Sequence, residues 1–580
     1  MELNNAARRR STPRQREWRF PLLLALIGSL LGACTSAAGP VATGNDLAPT
    51  AQAGIEMLIE SRIAVMAGGE RLQVRGILLD EGATLREFYT RRAFRPAWTD
   101  AATRDALVRA IRASTLDGLN PQDYHLDAIL ALQTELAAPR PNVFAQADAE
   151  LICSYALALL AHHYAFGKVD PAQQEKTWNV EAPDAGHDAA ATLDALVHPE
   201  LQARLAAQLP DHPIYRMLRT ELVRLRMIAA RGGWPTLPAG ETLKPGMQDA
   251  RIPLLRERLV GSGDLSAQAA PETMADIYDN VLLAAVQRFQ TRHGLTADGA
   301  IGRDTLEQLN TPVEARIDTL RVNLDRARVL LRALPPRFVV VNIAGFQVYL
   351  IENGRVSWSA RAVVGQRYRE TPLFRSEISY LQWNPDWTVP PGIIQKDILP
   401  DARKDPALIS KRGLKVIDRN GHVVDPHAVD WSAFRSGHIP YTLRQDPGPA
   451  NALGRVKFMF PNNHAVYLHD TPSKRLFDRD DRTFSSGCVR IEDPLTLARL
   501  LINEPAWDDA RIAAVIEGGV TENVVLRQRV PILLAYWTAW PETDGSLNFR
   551  RDIYGRDARW LAALDGATLS TPSLPGPSAP

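Results

Sequence analysis

The stretches His464-Ala-Val-Tyr-Leu-His469 and Ser485-Ser-Gly-Cys488-Val-Arg490 decide the fold of the C-terminal part of this chain. If the first stretch is a β-strand, its side chains alternate between the two faces, so Tyr467 and His469 share one face. The polar loop between the stretches can bring Cys488 back beside the end of that strand. Only three cysteines occur in 580 residues. We therefore predict that Cys488 is a nucleophile and His469 its base.

The residues around Cys488 suit covalent catalysis. A neighbouring imidazole can take the thiol proton and leave a thiolate–imidazolium pair. Gly487 lacks a Cβ, which lets a substrate carbonyl approach and backbone N–H groups point at the oxyanion. Arg490 adds positive charge that favours the thiolate or binds a substrate carboxylate. Asp470 follows His469 but points to the other face, so a backbone carbonyl could orient the imidazole; Asp470 as a third catalytic residue is the alternative.

The overall composition bounds the possible functions. A length of 580 residues predicts several domains. Hydrophobic residues make up 45% and charged residues 23%, as in ordinary globular proteins. The net charge of +1 gives no overall field that attracts nucleic acid. The sequence also has no phosphate-binding glycine loop and no Cys/His cluster with zinc spacing, so we predict neither nucleic acid nor a metal.

The N-terminus has the pattern of an export signal. Six arginines precede the short apolar run Leu22 to Leu31, and Leu31-Gly-Ala-Cys34 resembles a lipobox. We predict a signal peptide over 1–33, lipidation of Cys34 and a tether over 34–51. The alternative is an ordinary signal peptide with a chance cysteine. Thr35 after Cys34 favours the outer membrane by resemblance to lipoprotein sorting rules. Cys153 lies in an apolar helical run and is predicted to be a buried thiol, with a Cys153–Cys488 disulfide as the alternative.

The remaining pattern divides the chain into regions. Apolar residues recur at helical spacing, and later the period changes to two, as expected for strands. A long interruption rich in Asp, Pro and Arg predicts a cap over the strands. The predicted regions are a helical domain over 52–240, a three-helix module over 243–312, a linker helix over 313–336, a catalytic domain over 337–520 with its capping insert at about 392–454, a C-terminal extension over 521–565 and a disordered tail over 566–580.

Several strings resemble known families. Val364-Gly-Gln-Arg-Tyr-Arg-Glu-Thr-Pro372, Trp383-Asn-Pro-Asp-Trp-Thr-Val-Pro390, Pro447-Gly-Pro-Ala-Asn-Ala-Leu-Gly454 and the His469 and Cys488 stretches resemble the YkuD-type L,D-transpeptidase catalytic domain. Val286-Gln-Arg-Phe-Gln290 and Leu295-Thr-Ala-Asp-Gly-Ala-Ile-Gly302 resemble a small peptidoglycan-binding module. With the helical region they make the chain similar to the large, YcbB-like murein L,D-transpeptidases. Shorter family members often carry histidine where this chain has Ser486, so the base assignment rests on His469 alone.

The resemblance implies a multidomain α+β fold. Its parts would be a helical scaffold domain, the three-helix binding module and a mostly β catalytic domain, a YkuD-like β-sandwich with an inserted capping subdomain. It implies formation of 3→3 cross-links on peptidoglycan stem tetrapeptides through a cysteine thioester, without cofactor or metal. The implied catalytic set is Cys488 as nucleophile, His469 as base, the Gly487 and Cys488 N–H groups as oxyanion donors and the Tyr467 carbonyl orienting His469. The implied substrate contacts are Arg490, Ser485, Ser486, Trp383 and Asn384. For the two serines the alternative is that their hydrogen bonds hold the loop, and for Trp383, Asn384 and Trp387 core packing is the equal alternative to lining the cleft.

The implied partners are peptidoglycan stem peptides and glycan, the membrane through the lipid anchor, and other wall synthases. The implied location is the periplasm. Three alternatives stay open: an L,D-carboxypeptidase that hydrolyses the same bond, a transpeptidase that joins the wall to a protein, and a wall-binding lipoprotein without activity. A cap that excludes water favours transfer over hydrolysis. The intact His469 and Cys488 pair argues against the inactive alternative.

Overall fold

The computed structural model describes residues 49–67, 71–80, 82–179, 187–269, 275–332, 334–434, 439–542 and 545–566. The predicted signal peptide, Cys34 with its lipidation and outer-membrane location, and the tail from residue 567 lie outside the described residues. The first helix begins at Pro49, inside the last residues of the predicted tether.

The N-terminal region is a helical domain around one long buried helix. That helix, Val143–Phe166, begins where the Asn142 side chain accepts a hydrogen bond from Phe144 N–H, a typical N-cap. It is long and apolar enough to cross a membrane, but 83% of its most apolar window is buried in this domain. Cys153 on it is 1% exposed, and both described cysteines, Cys153 and Cys488, are free thiols. The elements are α1 (Pro49–Ala67), β1 (Leu72–Val74), β2 (Ile77–Leu79), α2 (Gly82–Arg91), α3 (Ala101–Ala113), α4 (Leu126–Leu136), α5 (Val143–Phe166), α6 (Pro171–Gln174), α7 (Ala189–Leu196), α8 (Leu201–Ala206) and α9 (Pro213–Ala229).

Three helices form the next module, and one buried amide holds its long loop. The helices are α10 (Ile252–Ser262), α11 (Asn280–Arg292) and α12 (Arg303–Leu309). The Gln290 side chain donates to Asp298 Oδ1 over 2.9 Å and accepts from Gly299 N–H over 2.8 Å. Gly299 has a φ of +75°, which glycine adopts without strain. These contacts explain why the module needs both strings that the sequence analysis singled out.

Helix α13 (Val313–Leu330) connects the module to the strands, as a linker would, but it is also buried. Asp325 and Arg328 form an ion pair with both side chains 0% exposed. Asp325 also accepts hydrogen bonds from Lys168 N–H in the scaffold (2.7 Å) and from Trp560 Nε1 near the C-terminus (2.9 Å). One carboxylate therefore holds three separate parts of the chain together.

The catalytic domain is built on a nine-stranded sheet. Its order is β13-β5-β14-β12-β11-β6-β15-β3-β4, and β4 also pairs with β5, so the sheet curls back around an apolar core. The multidomain α+β fold with a mostly β catalytic domain is thus confirmed. The strands are β3 (Arg337–Asn342), β4 (Gln347–Glu352), β5 (Arg355–Gly365), β6 (Phe374–Trp383), β11 (Val456–Met459), β12 (Leu468–His469), β13 (Thr483–Ser485), β14 (Val489–Ile491) and β15 (Glu522–Ala535). Helices α17 (Pro494–Ile502) and α18 (Asp509–Gly518) precede β15.

The predicted end of the catalytic domain at residue 520 is wrong. Strand β15 is antiparallel to β6 and parallel to β3, in the interior of the sheet. The predicted C-terminal extension over 521–565 therefore begins with a strand of the catalytic sheet. It continues as β16 (Ala539–Pro541), β17 (Leu547–Phe549) and α19 (Arg556–Asp565). Trp560 and Leu564 of α19 pack in the core of the helical N-terminal domain. The sequence predicted no strand here, and the place of β15 in the sheet depends on long-range pairing.

The segment predicted as a capping insert has a core of its own. Between β6 and β11 the chain forms β7 (Trp387–Thr388), α14 (Pro391–Ile393), a π-helical turn (Ile394–Ile398), α15 (Leu399–Ala402), α16 (Ala407–Lys411), β8 (Leu414–Ile417), β9 (Val423–Val424) and β10 (Thr442–Gln445). The four strands form a small sheet in the order β7-β10-β8-β9. Ile398, Leu399 and Trp431 are among its buried apolar residues. We call this segment, 387–445, the insert.

Candidate active site

Strands β11, β12 and β14 lie side by side and collect the predicted catalytic residues. Lys457 is registered with His469, and His469 with Arg490. Cys488 directly precedes β14, and its side chain lies next to the Tyr467 side chain. The Tyr467 and His469 rings meet edge to face at 5.7 Å, as expected if they share one face. Strand β12, Leu468–His469, is shorter than the predicted 464–469.

The His469 ring is buried and held by a backbone carbonyl. Its Nδ1 lies 2.5 Å from the Asp470 carbonyl oxygen, so Nδ1 carries the proton and the other ring nitrogen keeps its lone pair. The prediction that the Tyr467 carbonyl orients this ring is wrong, because that carbonyl accepts from Val489 N–H over 3.1 Å. Burial, then the charge of Arg490, lowers the pKa of His469 to about 3. The imidazole is therefore neutral at rest, the state that a base requires.

The Asp470 carboxylate has another role. It accepts from Arg455 N–H over 2.8 Å and pairs with Lys474 Nζ over 2.7 Å. A Cβ on Gly454 would lie 2.3 Å from Asp470 Oδ2, so this turn needs glycine. The side chain of Asp470 thus fixes the chain around His469 and makes no hydrogen bond to the ring. The alternative in which this carboxylate is a third catalytic residue is not supported.

Cys488 is half-buried, and burial raises the pKa of its thiol. Hydrogen bonds from Tyr467 and the charges of Lys457 and Arg490 oppose this shift without reversing it. The Sγ atom donates to the Ala465 carbonyl oxygen over 3.7 Å. In the part of the chain that the structure describes, no hydrogen bond joins Cys488 to His469. A neutral thiol beside a neutral imidazole is therefore favoured over the expected thiolate–imidazolium pair.

The loop before Cys488 is held by its own hydroxyls. Ser485 Oγ donates to the Cys488 carbonyl over 2.5 Å and accepts from Gly487 N–H over 3.1 Å. The Gly487 carbonyl accepts from Thr371 Oγ1 over 2.9 Å. The prediction of Gly487 N–H as an oxyanion donor is wrong for this arrangement, since Ser485 occupies it. Ser485 is buried and fixes the loop, so its predicted substrate contact is wrong too. In the described structure Cys488 N–H has no partner and can serve as the donor.

Two contacts connect the insert to this site. The Trp387 side chain lies next to the Tyr467 side chain, which in turn neighbours Cys488. The Arg369 guanidinium forms a two-point ion pair with the Asp397 carboxylate, and one of its hydrogen bonds is 2.7 Å long. It also donates to Ser486 Oγ over 2.8 Å. Ser486, predicted to contact substrate, is exposed and held by Arg369. The role of Arg369 was not predicted from the sequence, and for Trp387 both core packing and cleft lining were expected, although both residues lie in the strings quoted above.

Trp383 and Asn384 are not in the cleft, and their predicted substrate contacts are wrong. Trp383 is fully buried and stacks on Trp507 with ring centroids 5.9 Å apart. Asn384 is 1% exposed with a φ of +42°, and its amide donates to the Val515 carbonyl over 2.7 Å. Both residues fix the corner between β6 and the insert.

Two basic side chains complete the face. Lys457 Nζ lies 3.8 Å from the centroid of the Tyr467 ring, a cation–π contact. Arg490, predicted to contact substrate, is present on this face, and its Nε is buried without a partner. Lys457 was missed, although it alternates with the apolar Val456 and Phe458 in the sequence. Within the described ranges, no group of three or more His, Cys, Asp or Glu side chains could hold a metal ion.

Two cavities lie outside the site around Cys488. One, of about 550 Å³, opens in the insert and is bordered by Trp387, Asp397 and Arg412. The other, of about 530 Å³, lies where the three-helix module meets Asp480 of the loop before β13. Thr296 of the module donates to Asp480 Oδ1 over 2.8 Å. The module is thus fixed to the loop that leads to the nucleophile.

Comparison with protein families matches three regions. The YkuD model, described as "L,D-transpeptidase catalytic domain", covers residues 336–506. Residues 336–506 are a YkuD-type L,D-transpeptidase domain. Models described as "Scaffold domain" and "Putative peptidoglycan binding domain" cover residues 83–222 and 248–309. The resemblance seen in the sequence, a YkuD domain accompanied by a scaffold and a peptidoglycan-binding module, is confirmed.

One curated relative carries a name from the same family. A "Putative L,D-transpeptidase" of Haemophilus influenzae strain Rd is 34% identical over 292 residues, which is 49% of this chain and 57% of that protein. The match therefore spans little more than half of that relative's length. The crystal structure of an L,D-transpeptidase from Xylanimonas cellulosilytica is 14% identical and covers 51% of this chain and 99% of that chain. Its TM-score is 0.18, too low to support a structural conclusion.

Proposed function

We propose that this YkuD-domain protein is a cysteine-dependent L,D-transpeptidase that forms 3→3 cross-links between peptidoglycan stem peptides. The observation that carries the proposal is the grouping of Cys488, His469 and Tyr467 on adjacent strands, with the His469 ring held by the Asp470 carbonyl. The family match to a catalytic domain and the binding module support peptidoglycan as the substrate.

The first half-reaction would acylate Cys488. Sγ attacks the amide carbonyl between the third residue, a diamino acid, and the terminal D-Ala, while the unprotonated nitrogen of His469 accepts the thiol proton. The Cys488 N–H stabilises the oxyanion. The C–N bond then breaks, the proton passes to the amine of D-Ala, and a thioester remains. Tyr467 donates to sulfur and so stabilises the developing thiolate.

The second half-reaction would transfer the acyl group. The side-chain amine of another stem attacks the thioester, loses a proton to His469 and forms the new amide, and the thiol regains its proton. The insert contacts the site through Trp387 and Asp397. Exclusion of water by this cover favours the amine over hydrolysis. An L,D-carboxypeptidase and a transpeptidase with a protein acceptor use the same thioester, so both are outcomes of the test below.

We also propose that the protein acts in the periplasm, anchored through Cys34 to the outer membrane. The lipobox pattern and the export signal support the anchor, and the peptidoglycan-binding module supports the location. Metabolic labelling with a palmitate analogue tests the anchor: Cys34→Ala is expected to abolish the label, and a label that persists contradicts it.

Incubation of purified protein with tetrapeptide muropeptides tests the activity. We expect a 3→3 dimer and free D-Ala by mass spectrometry, and neither product with Cys488→Ala. Free tripeptide without dimer would identify a carboxypeptidase. Attachment of the tripeptide to a supplied protein lysine, without dimer, would identify a protein acceptor. Unchanged dimer with Cys488→Ala would refute Cys488 as the nucleophile.

A further inference from the structure

Lys457 and Arg490 flank His469 on the active-site face. Lys457 lies on one neighbouring strand and Arg490 on the other, each at the register of His469. Side chains registered across strands lie about 5 Å apart on one face. Both charges act on Cys488 as well as on His469. Two cations therefore border the place where a scissile amide would be attacked.

Neither cation has a counter-ion among the described residues. Lys457 contacts the Tyr467 ring but makes no hydrogen bond or ion pair, and Asp386 influences it only from a distance. Arg490 makes no side-chain hydrogen bond, and its Nε is buried. By contrast, Arg361 and Arg369 of the same domain form ion pairs, with the carboxylates of Glu492 and Asp397 respectively. Burial lowers the pKa of both Lys457 and Arg490, and negative charge on Cys488 opposes the shift for each of them.

The thiol does not supply the missing negative charge. Burial raises the pKa of Cys488, so its sulfur is neutral at rest. Buried charges without partners are unfavourable, and a ligand of opposite charge relieves that cost. The amino acid that leaves the proposed donor carries a carboxylate two bonds from the scissile nitrogen. Arg490 is two residues from Cys488, roughly 7 Å along an extended strand, within reach of such a group.

We propose that Lys457 and Arg490 bind a carboxylate of the donor stem, and that the group bound is the terminal carboxylate of the leaving amino acid. This inference rests on the proposed function, whose donor ends one residue after the scissile bond. A consequence is specificity: a donor without a free carboxylate at that position leaves both cations uncompensated. A diaminopimelate third residue would offer a second carboxylate, on its side chain, as the other source.

A donor series with the full-length protein separates these sources. The donors are the tetrapeptide muropeptide, its C-terminal amide, and the tetrapeptide amidated on the side chain of the third residue. We expect kcat/KM to fall about 10- to 100-fold for the C-terminal amide, the size of a charge-assisted contact. A fall of that size for the side-chain amide alone would support a carboxylate site but assign it to the third residue. Equal kcat/KM for all three donors would overturn the proposal.

Variants assign the effect to Lys457. Lys457→Met removes the charge and keeps the chain length, and we expect the preference for free acid over C-terminal amide to shrink to within about threefold. Lys415→Met, on the insert sheet, is the matched control and keeps the full preference. An undiminished preference in Lys457→Met would overturn the assignment. A second result would also overturn it. If Lys457→Met lowers the iodoacetamide reactivity of Cys488 by the same factor as it lowers kcat/KM with both donors, then Lys457 acts on the sulfur and not on a carboxylate.

Binding without turnover keeps the inference distinct from the proposed function. Titration of Cys488→Ser with the same donors measures carboxylate recognition when no acylation occurs. We expect the free acid to bind about 10- to 100-fold more tightly than the C-terminal amide, and Lys457→Met to reduce this ratio. If wild type yields no product while this ratio is observed, the proposed reaction fails and the carboxylate site stands. Equal binding of both donors by Cys488→Ser refutes the site whatever the reaction.

Discussion

Arg369 donates a 2.8 Å hydrogen bond to Ser486 Oγ, two residues before the nucleophile. The same guanidinium holds Asp397 of the insert through two contacts. A planar fork of this kind is specific to arginine. The position of the insert is therefore connected to the conformation of the loop that carries Cys488, and Ser486 fills a place where shorter relatives often carry histidine.

Arg369→Lys should uncouple the insert from the nucleophile loop. Lysine keeps the charge but cannot bind Asp397 and Ser486 together, so we expect kcat to fall about 10- to 100-fold, as when a reacting group is displaced by about 1 Å. Muropeptide turnover measures this change, and limited proteolysis should cut the insert faster. Arg367→Lys, exposed on the same loop, is the matched control. A normal kcat with faster proteolysis would show that the insert does not position the loop.

The pH dependence of Cys488 alkylation should reveal a neutral resting pair. Burial lowers the pKa of His469 to about 3 and raises that of the Cys488 thiol. His469 is then neutral at every pH above about 3, and the thiol ionises only at alkaline pH. We expect iodoacetamide reactivity to stay low from pH 5 to 8 and to rise above that range. An inflection below pH 7 would instead demonstrate a thiolate–imidazolium pair. His469→Gln should keep the alkylation profile and lose transpeptidation.

The sequence predicted a strand that ends at His469 with Tyr467 on the same face, because alternation is a local signal. The partner of the His469 ring could not be predicted, since it depends on how the chain turns at Asp470 and Gly454. Lys457 and Arg369 reach the site only through sheet register and the fold of the insert. Trp383 was misassigned because an aromatic residue beside a polar loop suits a cleft and a core equally well. Register and long-range packing set these positions, and one sequence does not specify them.

Asp325→Asn should destabilise the whole protein. Asp325 accepts bonds from Arg328, Lys168 N–H and Trp560 Nε1, and it is fully buried. The amide leaves Arg328 without a counter-ion, and the loss of one member of a buried pair costs about 3–5 kcal/mol. Thermal unfolding followed by fluorescence should show a clearly lower Tm. Glu87→Gln breaks an exposed i,i+4 pair and should change stability by less than about 0.5 kcal/mol. Equal Tm values for the two variants would contradict this role for Asp325.

Gly487→Ala should abolish activity without unfolding the protein. Gly487 has a φ of +118°, which residues with a side chain rarely adopt, while a Cβ there would meet only ordinary contacts at 3.8 Å or more. The strain, about 1–3 kcal/mol, is therefore conformational and is relieved by a shift of the loop that holds Cys488. We expect an unchanged global Tm and a loss of dimer formation of 100-fold or more. Gly448→Ala, where the space is open and φ is unexceptional, should retain activity. Full activity of Gly487→Ala would mean that this backbone conformation is not needed to present the nucleophile.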